Sequence, residues 1–141
     1  MEYHGLSVSP DHIHYVPGGS LQMGAEGMNY FLSLPNPPTA VMCFNDMLAI
    51  GALKACRQAG VRVPDEISVT GFDNIAFSEF SVPPLTTLDQ PKYEIGREAA
   101  QLLLSLLSEE SDLRSHTQGV KVLKGKLLVR ATTAKPRKKE T

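Results

Sequence analysis

The sequence predicts an α/β fold built on a parallel sheet. Two apolar runs, TAVMCF at 39–44 and ISVTGF at 67–72, flank a stretch with helical spacing. Strand, helix and strand in this order form a βαβ unit, whose crossover is almost always right-handed. The first run is apolar at consecutive positions, which is typical of a strand covered by helices on both faces. We therefore expect it to be a central, parallel strand.

The residues before the first run predict a strand, a turn, a helix and a second turn. HIHYV, at 12–16, is a candidate strand, and the Pro and Gly residues at 17–19 suit a turn. Ser20 can cap a helix, because its hydroxyl can accept from a free backbone amide. The prolines of LPNPP, at 34–38, prevent that helix from continuing.

The helix between the two apolar runs has a signal at each end. Asn45 can cap its N-terminus, and Asp46 lies near the positive end of the helix dipole, where a negative charge is favourable. Gly60 can take the left-handed conformation that commonly ends a helix. We therefore expect a helix from Asn45 to Ala59.

The second half of the chain predicts a third strand, a long helix and two short strands. LTTLDQ, at 85–90, is the strand, and Pro91 suits the first position of a helix. A polar loop at 108–119 follows, and VKVL (120–123) and KLLVRAT (126–132) are the short strands, with a hairpin as one arrangement. The helix at 92–108 is amphipathic, with these apolar residues at helical spacing: Ile95, Ala99, Leu102, Leu103, Leu106 and Leu107.

Length, charge and cysteine content limit the classes of function. The 141 residues carry a formal net charge of -1, so the body of the chain has no electrostatic reason to bind nucleic acid. Residues 135–141 are predicted to form a basic flexible tail. Cys43 and Cys56 are too few and too far apart for a disulfide scaffold or paired zinc ligands, so we interpret them as reduced core residues of a cytoplasmic protein. We expect no cofactor and no metal. We also expect no membrane partner, because no apolar run is long enough to span a bilayer and no signal peptide is recognisable.

Polar side chains follow or end three predicted strands. Asn45, Asp73 and Gln90 occupy these positions. Because ligands bind at the carboxyl ends of parallel strands, the three side chains should line one edge of the sheet. Two amides and a carboxylate suit a polyhydroxylated ligand, since each hydroxyl both donates and accepts hydrogen bonds. The alternative is structural: Asn45 simply caps its helix, and Asx residues after strands commonly form turns.

Three longer stretches carry a family resemblance. They are PTAVMCFNDMLAIGALKACRQAGVRVPDEISVTGFDNI from residue 38, PPLTTLDQPKYEIGREAAQLLLSLL from residue 83 and LLVRATTA from residue 127. In this order and spacing, and over residues 3–134, the chain resembles the sensor region of the lactose/galactose-repressor (LacI/GalR) family of bacterial transcription regulators. The resemblance implies a parallel-sheet, Rossmann-like lobe of a periplasmic-binding-protein-like (type I) sensor domain, incomplete at its N-terminus.

The resemblance implies roles for individual side chains. Asn45 and Asp73 would hydrogen-bond a small effector, a sugar or a nucleoside-like molecule, and Gln90 would lie close to the cleft or hinge. For Ile50, one of the predicted dimer residues given at the end of this paragraph, ordinary core packing is an equal alternative. Several relatives carry an aromatic residue that stacks on the ligand where this chain has Gly19, which leaves the ligand class open. The residues that would face a second subunit in a two-fold dimer are Ile50, Lys54, Ser81 and Val82.

The resemblance also divides the chain. Residues 1–90 would form the C-terminal lobe of the effector-binding domain, and the helix and loop at 91–120 would pack on an N-terminal lobe outside this sequence. Residues 121–134 would be returning strands. Operator DNA would be bound only through a helix-turn-helix headpiece that is absent from these residues. The function expected for the chain is effector sensing and dimerisation within a cytoplasmic regulator.

Two functions from other classes are alternatives. An enzyme would need catalytic groups around Asp73, and His12 and His14 share one side of the candidate strand. The sequence offers no third metal ligand, no nucleophile elbow and no phosphate-binding glycine motif, so we expect no catalytic residues. A periplasmic-type sugar-binding protein for transport would share the fold and the cleft. The dimer surface separates it from a regulator, because transport receptors usually act as monomers.

Overall fold

The computed structural model describes residue 5, residues 8–107 and residues 120–135. The polar loop predicted at 108–119 lies outside these residues, and so does the tail predicted at 135–141 apart from Lys135. The helices are α1 (Leu21–Leu32), α2 (Asp46–Gln58), α3 (Ala76–Phe80) and α4 (Lys92–Leu107). The strands are β1 (Ala40–Met42), β2 (Ser68–Phe72), β3 (Thr86–Asp89) and β4 (Lys126–Leu128).

The sheet confirms the predicted α/β fold. Its strand order is β1-β2-β3-β4. β1 pairs with β2, and β2 with β3, in parallel, with Val41 opposite Val69 and Gly71 opposite Thr87. Helix α2 connects β1 to β2 as the predicted crossover. The carboxyl ends of the three parallel strands therefore lie at one edge of the sheet.

The expected central position of β1 is wrong for the part of the chain described here. β1 is at the edge of the described sheet, and Met42 is 85% exposed. The consecutive apolar residues were interpreted as a strand covered on both faces, but β1 alternates between exposed and half-buried positions. An apolar pattern indicates which side chains are stabilised by burial, but it does not identify the element or chain that buries them.

Two predicted short strands do not form. Residues 12–16 include the end of a 3₁₀ turn (Pro10–His12), and the residues after it pair with none of the described strands. This segment is held instead by side chains, since the ring of His14 stacks on that of Tyr30 with centroids 4.5 Å apart. Residues 120–123 are likewise not a strand, so the hairpin is wrong. β4 pairs antiparallel with β3, because the open edge of β3 supplies the hydrogen-bonding partner.

The helix ends follow their local signals. Ser20 Oγ accepts a hydrogen bond from Met23 N at 3.3 Å, which confirms the predicted cap of α1. Asn45 Oδ1 accepts from Leu48 N at 2.8 Å and caps α2. Gly60, with φ at +72°, follows the end of α2 in the predicted left-handed conformation. These interactions depend on neighbours in sequence, so the pattern alone predicts them.

The core lies between α1, α2 and the sheet. α1 and α2 cross at glycines: a Cβ added to Gly51 would lie 1.9 Å from Leu21 O, and one added to Gly24 would lie 2.1 Å from Leu48 O. Burial raises the pKa of the Cys43 thiol to about 12 and that of Cys56 to about 11, as befits protonated thiols. The connected cluster of buried apolar side chains consists of Met28, Ala49, Ala52, Leu53, Ala55, Cys56, Ile67, Val69 and Leu85.

Helix α4 contributes nothing to this core. None of its residues is buried, and Leu103 is 58% exposed although it belongs to the predicted apolar face. Lys121 forms an ion pair with Glu98 on the helix. The amphipathic pattern correctly predicted the helix, while its apolar face stays open among the described residues.

Candidate functional site

The candidate site lies at the carboxyl edge of the parallel strands. Asp73 follows β2 directly, and Gln90 follows β3 directly. Gln90 Nε2 donates a hydrogen bond to Asp73 Oδ1 at 2.5 Å, and both side chains are half-buried. Two of the three predicted ligand-binding residues are therefore in contact, as expected from the parallel order.

Asn45 lies at the same edge but is engaged with its own surroundings. Its side-chain oxygen caps α2, and its Nδ2 donates to Gly19 O at 3.2 Å. The second proton on that nitrogen and the second lone pair on the oxygen are still available in principle. The helix-capping alternative is therefore correct, and it leaves Asn45 able to make further hydrogen bonds.

Gly19 fits against Asn45 because it has no side chain. A Cβ at this position would lie 2.2 Å from Asn45 Nδ2 and 3.6 Å from the ring of Phe44. Phe44 is itself 70% exposed at the end of the β1 segment. An aromatic ring next to a row of amides and a carboxylate combines an apolar surface with hydrogen-bonding groups, which is the usual composition of small-molecule sites.

The turn that carries Asp73 has an unusual backbone. Asp73 has φ at +112° and Asn74 has φ at +50°, both in the region that L-residues rarely occupy. Asp73 N donates to Leu88 O at 3.0 Å, which fixes the turn to β3. Lys92 Nζ donates to Asp73 O and lies 3.6 Å from Asp89 Oδ1.

The side chain of Asn74 ties the turn to the last strand region. Its Nδ2 donates to Asp89 Oδ1 at 3.1 Å, and its Oδ1 accepts from Arg130 Nη2 at 2.9 Å. Arg130 also donates through Nη1 to Leu85 O at 2.7 Å. The guanidinium therefore links the turn to the residue just before β3. These residues are distant in sequence, so no local pattern predicts the contact.

Asp46 is an important residue whose contacts the sequence did not reveal. Its carboxylate has 0% exposure and accepts hydrogen bonds from Ile75 N at 2.9 Å, Ser78 Oγ at 2.5 Å and Thr87 Oγ1 at 2.5 Å. Its sequence signal is limited to its place after the cap residue. The three donors come from separate parts of the chain, so only the folded arrangement brings them together.

A second feature is a groove of about 410 Å³ between α1, α2 and the segment after α3. All four predicted dimer residues, Ile50, Lys54, Ser81 and Val82, line it. Ile50 is half-buried against the core, as its alternative interpretation stated, while Val82 is 77% exposed. The same side chains thus form one continuous surface, although they come from two distant stretches of sequence.

Two other kinds of feature are absent from the described ranges. No group of three or more His, Cys, Asp or Glu side chains there is placed to hold a metal ion. Helices long and apolar enough to cross a membrane are also absent from this part of the chain.

Comparison with known proteins identifies the family. The periplasmic binding protein-like domain matches residues 4–133. The HTH-type transcriptional repressor CytR of Escherichia coli is 40% identical over 132 residues, which cover 92% of this chain and 36% of the repressor. The chain thus spans about a third of the length of this relative.

Solved structures give the same result at the level of the fold. A sugar-binding transcriptional regulator of the LacI family from Escherichia coli, complexed with phosphate, superimposes with a TM-score of 0.79 at 31% identity, over 96% of this chain and 46% of that one. A LacI family regulator from Lactobacillus casei with bound sucrose gives 0.70 at 28% identity, over 94% and 47%. The chain therefore belongs to the periplasmic binding protein-like domain family, in the form carried by LacI-family transcriptional regulators.

Proposed function

We propose that this chain senses a small effector and dimerises as part of a LacI-family transcriptional regulator. The observation that carries the proposal is the Asp73–Gln90 pair at the carboxyl edge of the sheet. An ionised carboxylate there can accept from two neighbouring hydroxyls of one ligand, and charge-assisted hydrogen bonds of this kind are the strong ones. Operator binding would belong to a helix-turn-helix elsewhere in the longer protein.

The proposed effector is a sugar or another small polyhydroxylated molecule, nucleosides included. The amide of Asn45, the carboxylate of Asp73 and the amide of Gln90 offer both donors and acceptors at one edge. The exposed ring of Phe44 offers an apolar surface for the carbon face of a sugar or for a base. A related regulator was crystallised with sucrose, which supports the ligand class without fixing the ligand for this chain.

The relatives favour a regulator over the transport alternative. The similar curated protein described above is a transcriptional repressor, and the similar structures are LacI-family regulators. The groove lined by Ile50, Lys54, Ser81 and Val82 supports dimerisation, with a second copy of the chain as the proposed occupant. A two-fold dimer uses the same patch on both copies, so a self-complementary groove is the expected form of such an interface.

The open face of α4 supports the proposed division of the chain. We propose that residues 91–120 pack on an N-terminal lobe, as the resemblance implies. Leu102 and Leu103 are 53% and 58% exposed in the described part of the chain, and covering such side chains is worth about 1.5–3 kcal/mol each. An apolar surface of this kind is typical of a contact surface.

Effector binding can be tested by thermal unfolding of the full chain with a panel of sugars and nucleosides: sucrose, D-ribose, D-galactose, cytidine and adenosine. A ligand that binds only the folded state raises the midpoint. We expect one class to raise the midpoint in the unmodified chain, and the rise to be lost in Asp73→Asn, which keeps the shape but removes the charge.

The matched control is Asp65→Asn, which changes an exposed carboxylate away from the sheet edge. It should respond to the ligand as the unmodified chain does. Loss of a charged hydrogen bond in Asp73→Asn should weaken binding by roughly 10- to 100-fold. Undiminished binding by Asp73→Asn would remove this carboxylate from the effector site.

A further inference from the structure

Asp46 is a buried carboxylate at a junction of the fold. It is the first residue of α2, has 0% exposure and accepts three hydrogen bonds. The donors are Ile75 N in the turn at 73–75, called the effector turn below, Ser78 Oγ on α3 and Thr87 Oγ1 on β3. A buried charge is costly unless it is fully hydrogen-bonded, so the site has to be assembled as a unit.

Two consecutive backbone amides of the effector turn depend on this carboxylate. Ile75 N donates to it directly, at 2.9 Å. Thr87 Oγ1 donates to Asp46 Oδ1 and accepts from Asn74 N at 3.4 Å, so the second amide is held through one hydroxyl. The two amides belong to Asn74, which has a positive φ, and to Ile75, which follows it. Backbone in such conformations persists only where its surroundings over-determine it.

The same carboxylate also holds the segment that leads to the dimer groove. Ser78 is fully buried, with its hydroxyl on Asp46 Oδ2. Ser78 O accepts from Ser81 Oγ at 3.0 Å and from Leu85 N at 2.8 Å. Ser81 and the adjacent Val82 line the groove. A short chain of hydrogen bonds therefore runs from Asp46 to the groove, and another runs from Asp46 to the turn of Asp73.

Helix-dipole stabilisation alone does not account for this arrangement. An acidic residue in the first turn of a helix benefits from the dipole while exposed to solvent. Asp46 is instead enclosed, and β2 carries a glycine beside it. A Cβ at Gly71 would lie 2.2 Å from Asp46 Oδ1, so the strand leaves room for the carboxylate.

We propose that Asp46 is a positioning residue that holds the turn of Asp73 and the segment from Ser78 to Val82 against the N-terminus of α2. The orientation of the effector-binding carboxylate and the shape of the dimer groove then depend on one buried side chain. The proposal deepens the proposed function and rests on it for calling this edge an effector site.

The test is NMR spectroscopy of the full chain, with two reporters. The side-chain amide of Gln90 donates to Asp73 Oδ1 and reports the position of that carboxylate. The methyl groups of Val82 report the groove. In Asp46→Asn we expect both sets of resonances to shift and exchange of the Asn74 and Ile75 amides to speed up by about tenfold or more. In Asp65→Asn, the matched control, neither change should occur.

Two milder variants test separately the hydrogen-bond path from Asp46 to the turn of Asp73 and the path from Asp46 to the groove. They also replace Asp46→Asn if that variant does not fold. Thr87→Val removes the hydroxyl that links Asp46 to Asn74, so it should move the Gln90 amide more than the Val82 methyls. Ser78→Ala removes the bond to α3, so it should move the Val82 methyls more than the Gln90 amide. Unchanged reporters in folded variants, or equal shifts in the two milder variants, would overturn the proposal.

The NMR test does not require a ligand, so it separates this proposal from the proposed function. The same samples are then titrated with sucrose and D-ribose. Displaced reporters with no sugar binding to the unmodified chain would support the positioning role and count against a sugar effector. Sugar binding with undisturbed reporters in folded Asp46→Asn would support the effector and overturn the positioning role.

Discussion

At the scale of single residues, Asp73 combines a functional side chain with an unfavourable backbone. Its φ is +112°, and a non-glycine residue in a sparsely populated region costs about 1–3 kcal/mol. Its carboxylate accepts from Gln90, its amide donates to Leu88 O, and its carbonyl accepts from Lys92. The surrounding contacts hold the carboxylate at the sheet edge, with the backbone in a conformation that the unfolded chain rarely adopts.

Paired substitutions at this position separate the backbone from the side chain. Asp73→Gly and Asp73→Ala both remove the carboxylate, and only Gly relieves the strain. We expect Asp73→Gly to be more stable than Asp73→Ala by about 1 kcal/mol, because strain relief exceeds the entropy that Gly adds to the unfolded state. Urea unfolding measures the difference. Equal stability of the two variants would show that the turn is not strained.

Cys43 provides a pH-dependent prediction. Burial chiefly raises the pKa of its thiol to about 12, with smaller contributions from Cys56 and Asp46. The unfolded chain loses this proton at a lower pH than the folded chain, so the stabilising contribution is complete below the unfolded pKa and declines as pH rises toward the folded pKa. Stability should therefore fall between about pH 8 and about pH 10.5, and fall less in Cys43→Ala.

Urea midpoints at the two pH values measure this decline. Cys56, whose thiol pKa burial also raises, is present in both proteins, so the difference between their declines isolates the Cys43 thiol. An identical decline in Cys43→Ala would contradict the assignment to this group.

The side chains of the site differ in how far the sequence predicted them. Asp73 and Gln90 follow parallel strands, and that order alone places them at one edge. The partners of Asp46 could not be predicted, because Ser78 and Thr87 belong to elements whose placement depends on the whole fold. Local hydrogen bonds leave a pattern in the sequence, whereas hydrogen bonds between distant elements do not.

At the scale of elements, the contact between α1 and α2 depends on glycine. A Cβ at Gly51 would lie 1.9 Å from Leu21 O and 3.0 Å from Ala25 N. Both are backbone atoms, so no side-chain rotation can relieve the clash and the helices would have to separate. The two glycines at this crossing look unfavourable in a helical pattern, and their purpose is apparent only from the close approach of the two backbones.

Alanine substitutions at two helical glycines should have opposite effects. Gly51→Ala should destabilise the chain by about 1–3 kcal/mol, because it forces apart a packed interface. Gly96→Ala should stabilise it by about 0.5–1 kcal/mol, because this exposed α4 position has no atom within 4 Å of an added Cβ and Ala is the better helix former. Urea unfolding of both variants tests the contrast, and a shared sign would contradict it.

Elements with strong local signals were predicted well, and those that need a partner were not. Strands β2 and β3 and helices α1, α2 and α4 lie where periodicity and caps placed them. The candidate strand at 12–16 has no neighbour in the described sheet, so its backbone groups find other partners or solvent. α3 has only five residues and no side-chain cap, and its Ser78 hydroxyl donates to Asp46, a partner distant in sequence.

At the scale of the whole molecule, two surfaces are candidates for contact with another lobe or another chain. One is the apolar face of α4, where no residue is buried. The other is the groove between α1, α2 and the segment after α3. The two surfaces differ in their relation to the core, because Ile50 and Leu53 of the groove also pack in or against it, whereas α4 buries no residue. We propose an N-terminal lobe as the partner of the first and another copy of the chain as the partner of the second.

The groove assignment predicts a dimer that a single buried charge disrupts. Val82 and Val122 are each 77% exposed, but only Val82 lines the groove. In a two-fold interface Val82→Glu places a carboxylate in each copy of the contact, and an unpaired buried charge is strongly unfavourable. Sedimentation equilibrium should therefore show Val82→Glu shifted to monomer, by about 2 kcal/mol or more in dimer stability.

Val122→Glu, which adds the same charge outside the groove, should dimerise as the unmodified chain does. Equal dissociation of both variants would assign self-association to a different surface, with the open face of α4 as the first to examine.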